Sequence, residues 1–201
     1  MNRRNAVLIA LGALVAGAAA LVYAENGGDP LSGVSTSGDA AAATTAKSQN
    51  PKPSYDFNAL PEPVRRMLER IAEAAQTGEV ENMRPVFESN ELKPMVTADD
   101  YVDDPVGFWK KQSADGSGRD ILAAMLDVIS SGFVRVGEGR DEMYVWPYFA
   151  ETDLTKLSPA QEVELYRVVP PALGVSMKKG GKYSYYRLGI SPDGVWHYFI
   201  Q

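Results

Sequence analysis

The sequence predicts an α+β fold, and three observations lead to that class. Apolar residues recur at helical spacing between residues 64 and 75, and the period changes to that of strands near residue 133. Further along, two pairs of strand-like segments are each joined by a glycine-containing turn, which is typical of β-hairpins. We therefore expect a small antiparallel sheet of two hairpins covered by about five helices.

The first two predicted helices follow one another closely. After a proline-containing start at Pro61-Glu62-Pro63, one apolar stripe recurs at i, i+3, i+4, i+7 and i+11, formed by Val64, Met67, Leu68, Ile71 and Ala75. Gly78 ends this helix. A second, short helix then packs back on the first through Val80, Met83 and Phe87.

Three further helices have their own start signals. Asp104-Pro105 combines an N-cap with a first-position proline and begins the third. The fourth is expected from about Ser117 to Ser130, with Asp120 near the capping-box position. Ser158-Pro159-Ala160-Gln161 is a full capping-box sequence for the fifth, which Pro170-Pro171 is expected to stop.

The strands are predicted in two hairpins. The first joins residues 133–136 to residues 143–146 through the glycines at 137 and 139. The second joins residues 183–190 to residues 195–200 through Ser191-Pro192-Asp193-Gly194, where proline presets the turn and glycine supplies a positive φ.

The N-terminus predicts export. Arg3 and Arg4 precede an uncharged apolar run of 19 residues, 6–24, that ends in Val22-Tyr23-Ala24, a suitable cleavage site. Residues 1–24 are therefore either a signal peptide or a retained N-terminal membrane anchor, since both need the same basic flank. Either alternative delivers a periplasmic or secreted protein that meets the membrane only through this segment.

Two more parts follow this leader. Residues 25–55 are rich in Gly, Ser, Ala and Pro and contain few large apolar groups, which predicts a disordered linker. Residues 56–201 have the usual size of one domain, and we expect a single α+β domain there.

Composition excludes several classes of protein. The chain has no cysteine, which rules out a disulfide framework, a thiolate metal site and lipid attachment at a cysteine. Beyond residue 24 it carries 18 basic residues against 26 acidic ones, so no nucleic-acid partner is expected. No cofactor is expected either.

His197 is the one histidine of the chain and the first candidate for chemistry. Histidine titrates near neutrality and can act as a general base, with a carboxylate such as Asp193 as its partner. The alternative is a strand histidine on a packed or half-exposed face, sharing that face with Val195 and Phe199. The second interpretation is the commoner one, so no catalytic residue is assigned and these two stay candidates.

A second candidate is acidic. Asp99, Asp100 and Asp103 lie beside Asp104, and oxygen ligands at this density suit calcium. The run lacks the alternating ligands and central glycine of an EF-hand loop. Solvated loop charge is the favoured interpretation, and no metal site is predicted.

Aromatic residues concentrate in the two hairpins, and they are the strongest indication of function. Successive strand positions point to opposite faces, so both sets of rings can be buried only if helices cover both sides of the sheet. We expect some rings to be exposed and to bind a peptide or glycan. The residues predicted to form this binding surface are Tyr144, Trp146, Tyr185 and Trp196.

Two resemblances add to these predictions. Residues 74–87, Ala-Ala-Gln-Thr-Gly-Glu-Val-Glu-Asn-Met-Arg-Pro-Val-Phe, resemble the helical entrance of NTF2-like folds, which implies a curved sheet around a pocket. Residues 60–67, 144–150 and 191–196 resemble an exported alphaproteobacterial protein family of unknown function. Neither resemblance supplies a catalytic residue.

Together these features predict an exported binding or envelope-assembly module without an evident catalytic site. Its partner is expected to be an envelope protein, a peptide or a glycan. The alternative is a pocket enzyme of hydrolase or isomerase type in an NTF2-like fold that uses His197.

Overall fold

The predicted apolar stripe lies on the first helix. In the computed structural model, which describes residues 50–201, α1 runs from Glu62 to Gln76. All five residues of the stripe are buried on it. Pro63 lies in the first turn, where its missing N–H leaves no hydrogen bond unmade. The predicted leader and residues 25–49 of the predicted linker lie outside the described residues.

Five further α-helices follow α1 within residues 50–201. They are α2 (Arg84–Glu88), α3 (Pro105–Gln112), α4 (Arg119–Ile129), α5 (Pro159–Val168) and α6 (Pro171–Gly180). The capping box predicted for α5 is present: the Gln161 N–H donates to Ser158 Oγ, and the Ser158 N–H donates to the Gln161 side chain. The sequence misses α6. Pro171 not only follows the end of α5 but also begins the next helix, because proline is tolerated in a first turn.

The start of α4 differs from the prediction. The helix begins after Gly118, whose φ of 82° is left-handed, and the Ser117 hydroxyl accepts the N–H of Arg119, the first residue of the helix, at 3.1 Å. The Asp120 carboxylate instead accepts hydrogen bonds from Ser113 Oγ at 2.5 Å and from the Ala114 N–H at 3.0 Å. The acidic side chain therefore closes the preceding loop, a role that spacing alone does not reveal.

The two predicted hairpins join into one sheet. Its strands are β1 (Val134–Val136), β2 (Met143–Trp146), β3 (Arg187–Ile190) and β4 (Trp196–Ile200), in the order β1-β2-β3-β4 and antiparallel throughout. The two hairpins meet where β2 pairs with β3. The sequence places the start of β3 too early, at residue 183. Tyr183 instead donates its hydroxyl hydrogen to the Tyr186 carbonyl and packs against Phe149.

Both faces of the sheet are covered. Tyr144, Val145 and Trp146 are consecutive in β2 and all three are buried, although their side chains alternate between the faces. The outer edges are also paired. Ser54 exchanges two backbone hydrogen bonds with Phe133 beside β1, and Met95 bonds the backbone of β4 at His197 and Phe199. Unpaired sheet edges promote association, so this pairing protects the fold.

Residues before the predicted boundary at residue 56 already contact the rest of the described chain. The Asn50 side chain bonds both the N–H and the C=O of Asp153. Ser54 pairs with Phe133, and the Tyr55 hydroxyl donates to Glu164 at 2.7 Å. Residues 50–57, which we call the N-terminal strap, thus belong to the domain. The sequence does not reveal these contacts, because they are mainly polar and the segment contains few large apolar side chains.

None of the helices between residues 50 and 201 is long and apolar enough to cross a membrane.

Candidate functional site

An open cleft lies between α1 and the turn that joins β3 to β4. Its volume is about 340 Å³, which falls in the range of small-ligand sites. The residues that line it are Pro63, Arg66, Met67, Arg70, Ser89, Asn90, Glu91, Asp193, Gly194 and Val195. We call it the α1–hairpin cleft. Asp193, a candidate from the sequence, is one of its walls.

Two close contacts hold the walls of the cleft together. Gly194 has a φ of 87°, and a Cβ there would lie only 2.7 Å from the carbonyl oxygen of Pro63. Only glycine lets the turn approach α1 this closely. On the other side, Asn90 Oδ1 accepts a hydrogen bond from the backbone N–H of Trp196 at 2.9 Å. This bond connects the loop after α2 to the first residue of β4. The shape of the cleft therefore depends on packing between elements distant in sequence.

The cleft contains charges of both signs. Arg66 forms an ion pair with Glu62 at 3.0 Å, one helical turn earlier on α1. Neither Arg70 nor Glu91 has an ion-pair partner among the residues that the structure describes. The two also do not pair with one another. A cation and an anion thus line one cleft with their charges still available to a ligand.

Asp193 also belongs to a cluster with Ser191 and His197. Ser191 Oγ lies 2.5 Å from Asp193 Oδ1 and 2.8 Å from His197 Nε2. The Ser191 hydroxyl holds the pKa of the Asp193 carboxyl below its usual range, with smaller contributions from backbone N–H groups and His197. The structure therefore joins the two predicted catalytic candidates, through a serine that the sequence analysis missed.

The order of hydrogen bonds in this cluster decides its chemistry. A serine hydroxyl has one hydrogen, and an ionised carboxylate can only accept, so Ser191 donates to Asp193. His197 Nε2 must then carry the hydrogen of its bond to Ser191. In a Ser–His–Asp catalytic triad the histidine lies in the middle and accepts the serine hydrogen. Here the serine lies in the middle, and its hydroxyl is not activated as a nucleophile.

The expected exposure of the aromatic binding surface is wrong for most of its residues. Trp146 and Trp196 are 0% exposed and Tyr144 is buried, while Tyr185 is half-buried. Trp196 stacks on Phe87 with ring centroids 5.0 Å apart. The rings are enclosed because both faces of the sheet are covered, a condition that alternation in a single strand cannot reveal. The prediction that these four residues bind a ligand is still untested. It was argued from an exposed aromatic surface, which the structure does not have at most of these positions.

The acidic run lies in the loop between α2 and α3. Asp100 Oδ1 accepts the N–H of Tyr101, the carbonyl of Asp103 accepts from Lys93, and Asp104 forms an ion pair with Arg84. Within residues 50–201, no group of three or more histidine or acidic side chains is placed to hold a metal ion. Asp99, Asp100 and Asp103 are therefore not brought together as a ligand set.

A second, partly exposed polar cluster surrounds Glu164 of α5. Its carboxylate accepts the hydroxyls of Tyr55 at 2.7 Å and Tyr148 at 3.1 Å, and the N–H of Gly132 at 3.2 Å. Burial and the nearby carboxylate raise the pKa of Tyr55 to about 12, and they raise the pKa of Tyr148 as well. All the groups here satisfy one another, so the cluster fastens the N-terminal strap and offers no vacant partner to a ligand.

Sequence reasoning missed Arg66, Arg70, Glu91 and Ser191. A signal for the first two is present: they lie four residues apart on the solvent side of a strongly amphipathic helix. Surface arginines at this spacing are common, however, and the remaining lining comes from two separate segments, residues 89–91 and 193–195. No short motif connects them.

The fold and the cleft together define an α+β protein with a mixed-charge cleft at one end of its sheet. No protein-family model matches this chain, and comparisons with curated proteins and with solved structures find no significant match.

Proposed function

We propose that this chain is an exported binding or envelope-assembly module, periplasmic or secreted, whose ligand binds in the α1–hairpin cleft. Export is proposed from Arg3, Arg4 and the apolar run at 6–24, with cleavage after Ala24 and a retained anchor as the alternatives. The partner is an envelope protein, a peptide or a glycan.

The observation that carries the binding role is the charged lining of the cleft. Arg66 and Arg70 on α1 line the same cleft as Glu91 and Asp193, around a volume of about 340 Å³. The volume falls in the range of known ligand sites, and side chains of both charges supply groups that a polar ligand can contact. Because the Ser191 hydroxyl donates to Asp193, the adjoining cluster supports recognition better than nucleophilic catalysis.

In-cell photocrosslinking of the intact chain tests this role. A photoreactive p-benzoylphenylalanine at position 89, in the wall of the cleft, is compared with the same residue at position 69, which is exposed on α1 outside the cleft. We expect crosslinked partners from position 89 that disappear when Arg70→Gln is added. Equal crosslinking from both positions, or crosslinks that survive Arg70→Gln, would contradict binding in the cleft.

The same experiment tests export. Mass spectrometry of the recovered protein identifies its N-terminal peptide and its cellular fraction. A peptide that begins at Glu25 supports cleavage of the leader, and an intact leader in the membrane fraction supports an anchor. Recovery of the intact chain from the cytosol alone would refute export.

The second candidate is the pocket enzyme, of hydrolase or isomerase type in an NTF2-like fold. The hydrogen-bonded Asp193–Ser191–His197 cluster favours it, since the ring of His197 is exposed beside the turn that lines the cleft. With Nε2 donating to Ser191, Nδ1 is the atom of the neutral ring that can accept a proton. A His197→Gln variant that keeps full turnover of a substrate of this chain would exclude this mechanism.

A further inference from the structure

Arg70 and Glu91 define the kind of ligand that suits the α1–hairpin cleft. Both line the cleft, and neither forms an ion pair with any residue in the described part of the chain. Arg66 differs, because Glu62 already neutralises it at 3.0 Å. The two remaining opposite charges face the same space without contacting one another.

A ligand that carries charge of only one sign can pair with Arg70 or with Glu91, but not with both. An anion bound by Arg70 would be repelled by Glu91 and by the ionised Asp193, whereas a cation bound by Glu91 would be repelled by Arg70. A ligand with an anionic and a cationic end avoids both penalties. A guanidinium binds a carboxylate with two parallel hydrogen bonds, and a carboxylate accepts from an ammonium group.

We propose that the α1–hairpin cleft binds a short zwitterionic peptide, with the peptide carboxylate on Arg70 and its terminal ammonium on Glu91. The volume of about 340 Å³ suits a ligand of a few residues. Asp193 stays committed to Ser191, and its charge reinforces the cationic end of the ligand. This inference rests on the proposed binding role of the cleft and assigns its ligand class.

The test is isothermal titration calorimetry of the full chain with four probes: dialanine, N-acetyl-dialanine, dialanine amide and inorganic phosphate. Alanine and trialanine are added to measure which spacing of the two charges fits best. We expect saturable binding of one of the zwitterions. Removal of either terminal charge from that peptide is expected to weaken binding about tenfold, the effect of losing one charge-assisted contact. Phosphate is expected to bind more weakly still.

Charge-neutralising variants assign each end of the ligand. Arg70→Gln is expected to weaken the zwitterion about tenfold but not to weaken the amidated peptide, because that peptide has no carboxylate for Arg70 and is relieved of its repulsion. Glu91→Gln is expected to weaken the zwitterion by a similar factor but not to weaken the acetylated peptide, which has no ammonium group for Glu91 and is relieved of its repulsion. Arg65→Gln, the same change on α1 outside the cleft, is the matched control and is expected to bind as the parent chain does.

Each alternative outcome has a distinct meaning. If N-acetyl-dialanine or phosphate binds as tightly as dialanine and depends on Arg70, the cleft is an anion site and the zwitterion assignment is overturned, while the proposed binding role remains. If no probe binds at millimolar concentration, the peptide assignment is overturned. The crosslinking result at position 89 then decides the binding role independently.

Discussion

The side chain of Trp196, at the start of β4, is buried against α2. Its ring stacks on Phe87, and its indole N–H donates to the Tyr198 carbonyl. We expect Trp196→Ala to lower the free energy of unfolding by about 3–5 kcal/mol, since truncating a buried aromatic side chain leaves a cavity. Chemical denaturation measures this loss. Leu92→Ala is the control: its side chain is 76% exposed, and we expect a change within about 0.5 kcal/mol. Equal losses would contradict the burial of Trp196.

Gly194 is a second single residue on which the cleft depends. Gly194→Ala adds a Cβ that would lie 2.7 Å from the Pro63 carbonyl, at a φ of 87°. We expect it to lower the free energy of unfolding by about 2 kcal/mol or more, because left-handed strain costs about 1–2 kcal/mol before the collision is counted. It should also weaken binding in the cleft by displacing its wall.

Gly78→Ala measures the cost of a left-handed backbone conformation without a steric collision of the added Cβ. Gly78 also has a positive φ, of 70°, but a Cβ there would meet no atom within 4 Å. We expect it to lose only the strain component. Equal losses for the two variants would show that the turn does not press on α1.

Among single residues, the sequence identified His197 and Asp193 but not the serine between them. Serine is common in turns, so Ser191 stands out only when the hairpin folds back and places its hydroxyl between both side chains. Likewise, Glu91 and Arg70 line one cleft only when the loop after α2 packs beside α1.

At the scale of elements, the N-terminal strap is the most informative. No residue of the strap is fully buried, and hydrogen bonds of Asn50, Ser54 and Tyr55 hold it. Elements fastened this way open locally more readily than those with a large buried area. We therefore expect the strap to be the part of the domain that responds first to high pH.

Ionisation of Tyr55 determines whether stability rises or falls as the pH increases. Its pKa is raised from 10.0 to about 12, so its contribution to stability is complete below pH 10. Above pH 10 the unfolded chain ionises first, and the contribution is lost as the pH approaches and passes about 12. Tyr55→Phe should therefore reduce the fall in unfolding free energy between pH 10 and pH 12, measured by denaturation at several pH values.

Tyr101→Phe is the matched control for this pH series, because Tyr101 has a similar exposure to Tyr55 but its hydroxyl makes no hydrogen bond to a carboxylate within residues 50–201. Its removal should leave the pH dependence close to that of the parent chain. A Tyr55→Phe protein with an unchanged slope would contradict the role of the Tyr55–Glu164 bond.

Elements with strong local signals were predicted well. The stripe of α1 and the capping box of α5 depend on residues within three or four positions of one another, so the sequence contains the whole cause. The start of α4 and the length of β3 were misjudged for the opposite reason. Asp120 bonds back to Ser113, and Tyr183 packs on Phe149, which are contacts made by the folded chain.

For the whole molecule, one continuous core connects the helices to the sheet. It includes Trp109, Trp146 and Trp196, which lie on α3, β2 and β4. Because these three probes share one core, we expect tryptophan fluorescence and far-ultraviolet circular dichroism to report the same unfolding midpoint. Two separated midpoints would show that the sheet and the helices unfold as independent units.

The sequence by itself determined the α+β class, the two hairpins and most of the helices, because periodicity, caps and turn residues act over a few neighbouring positions. Only the tertiary structure decided which aromatic rings are buried, which contacts residues 50–55 make, and which charges share a cleft. Burial and electrostatic pairing depend on which segments meet in space. In this protein α1, the loop after α2 and the β3–β4 turn meet from distant parts of the chain.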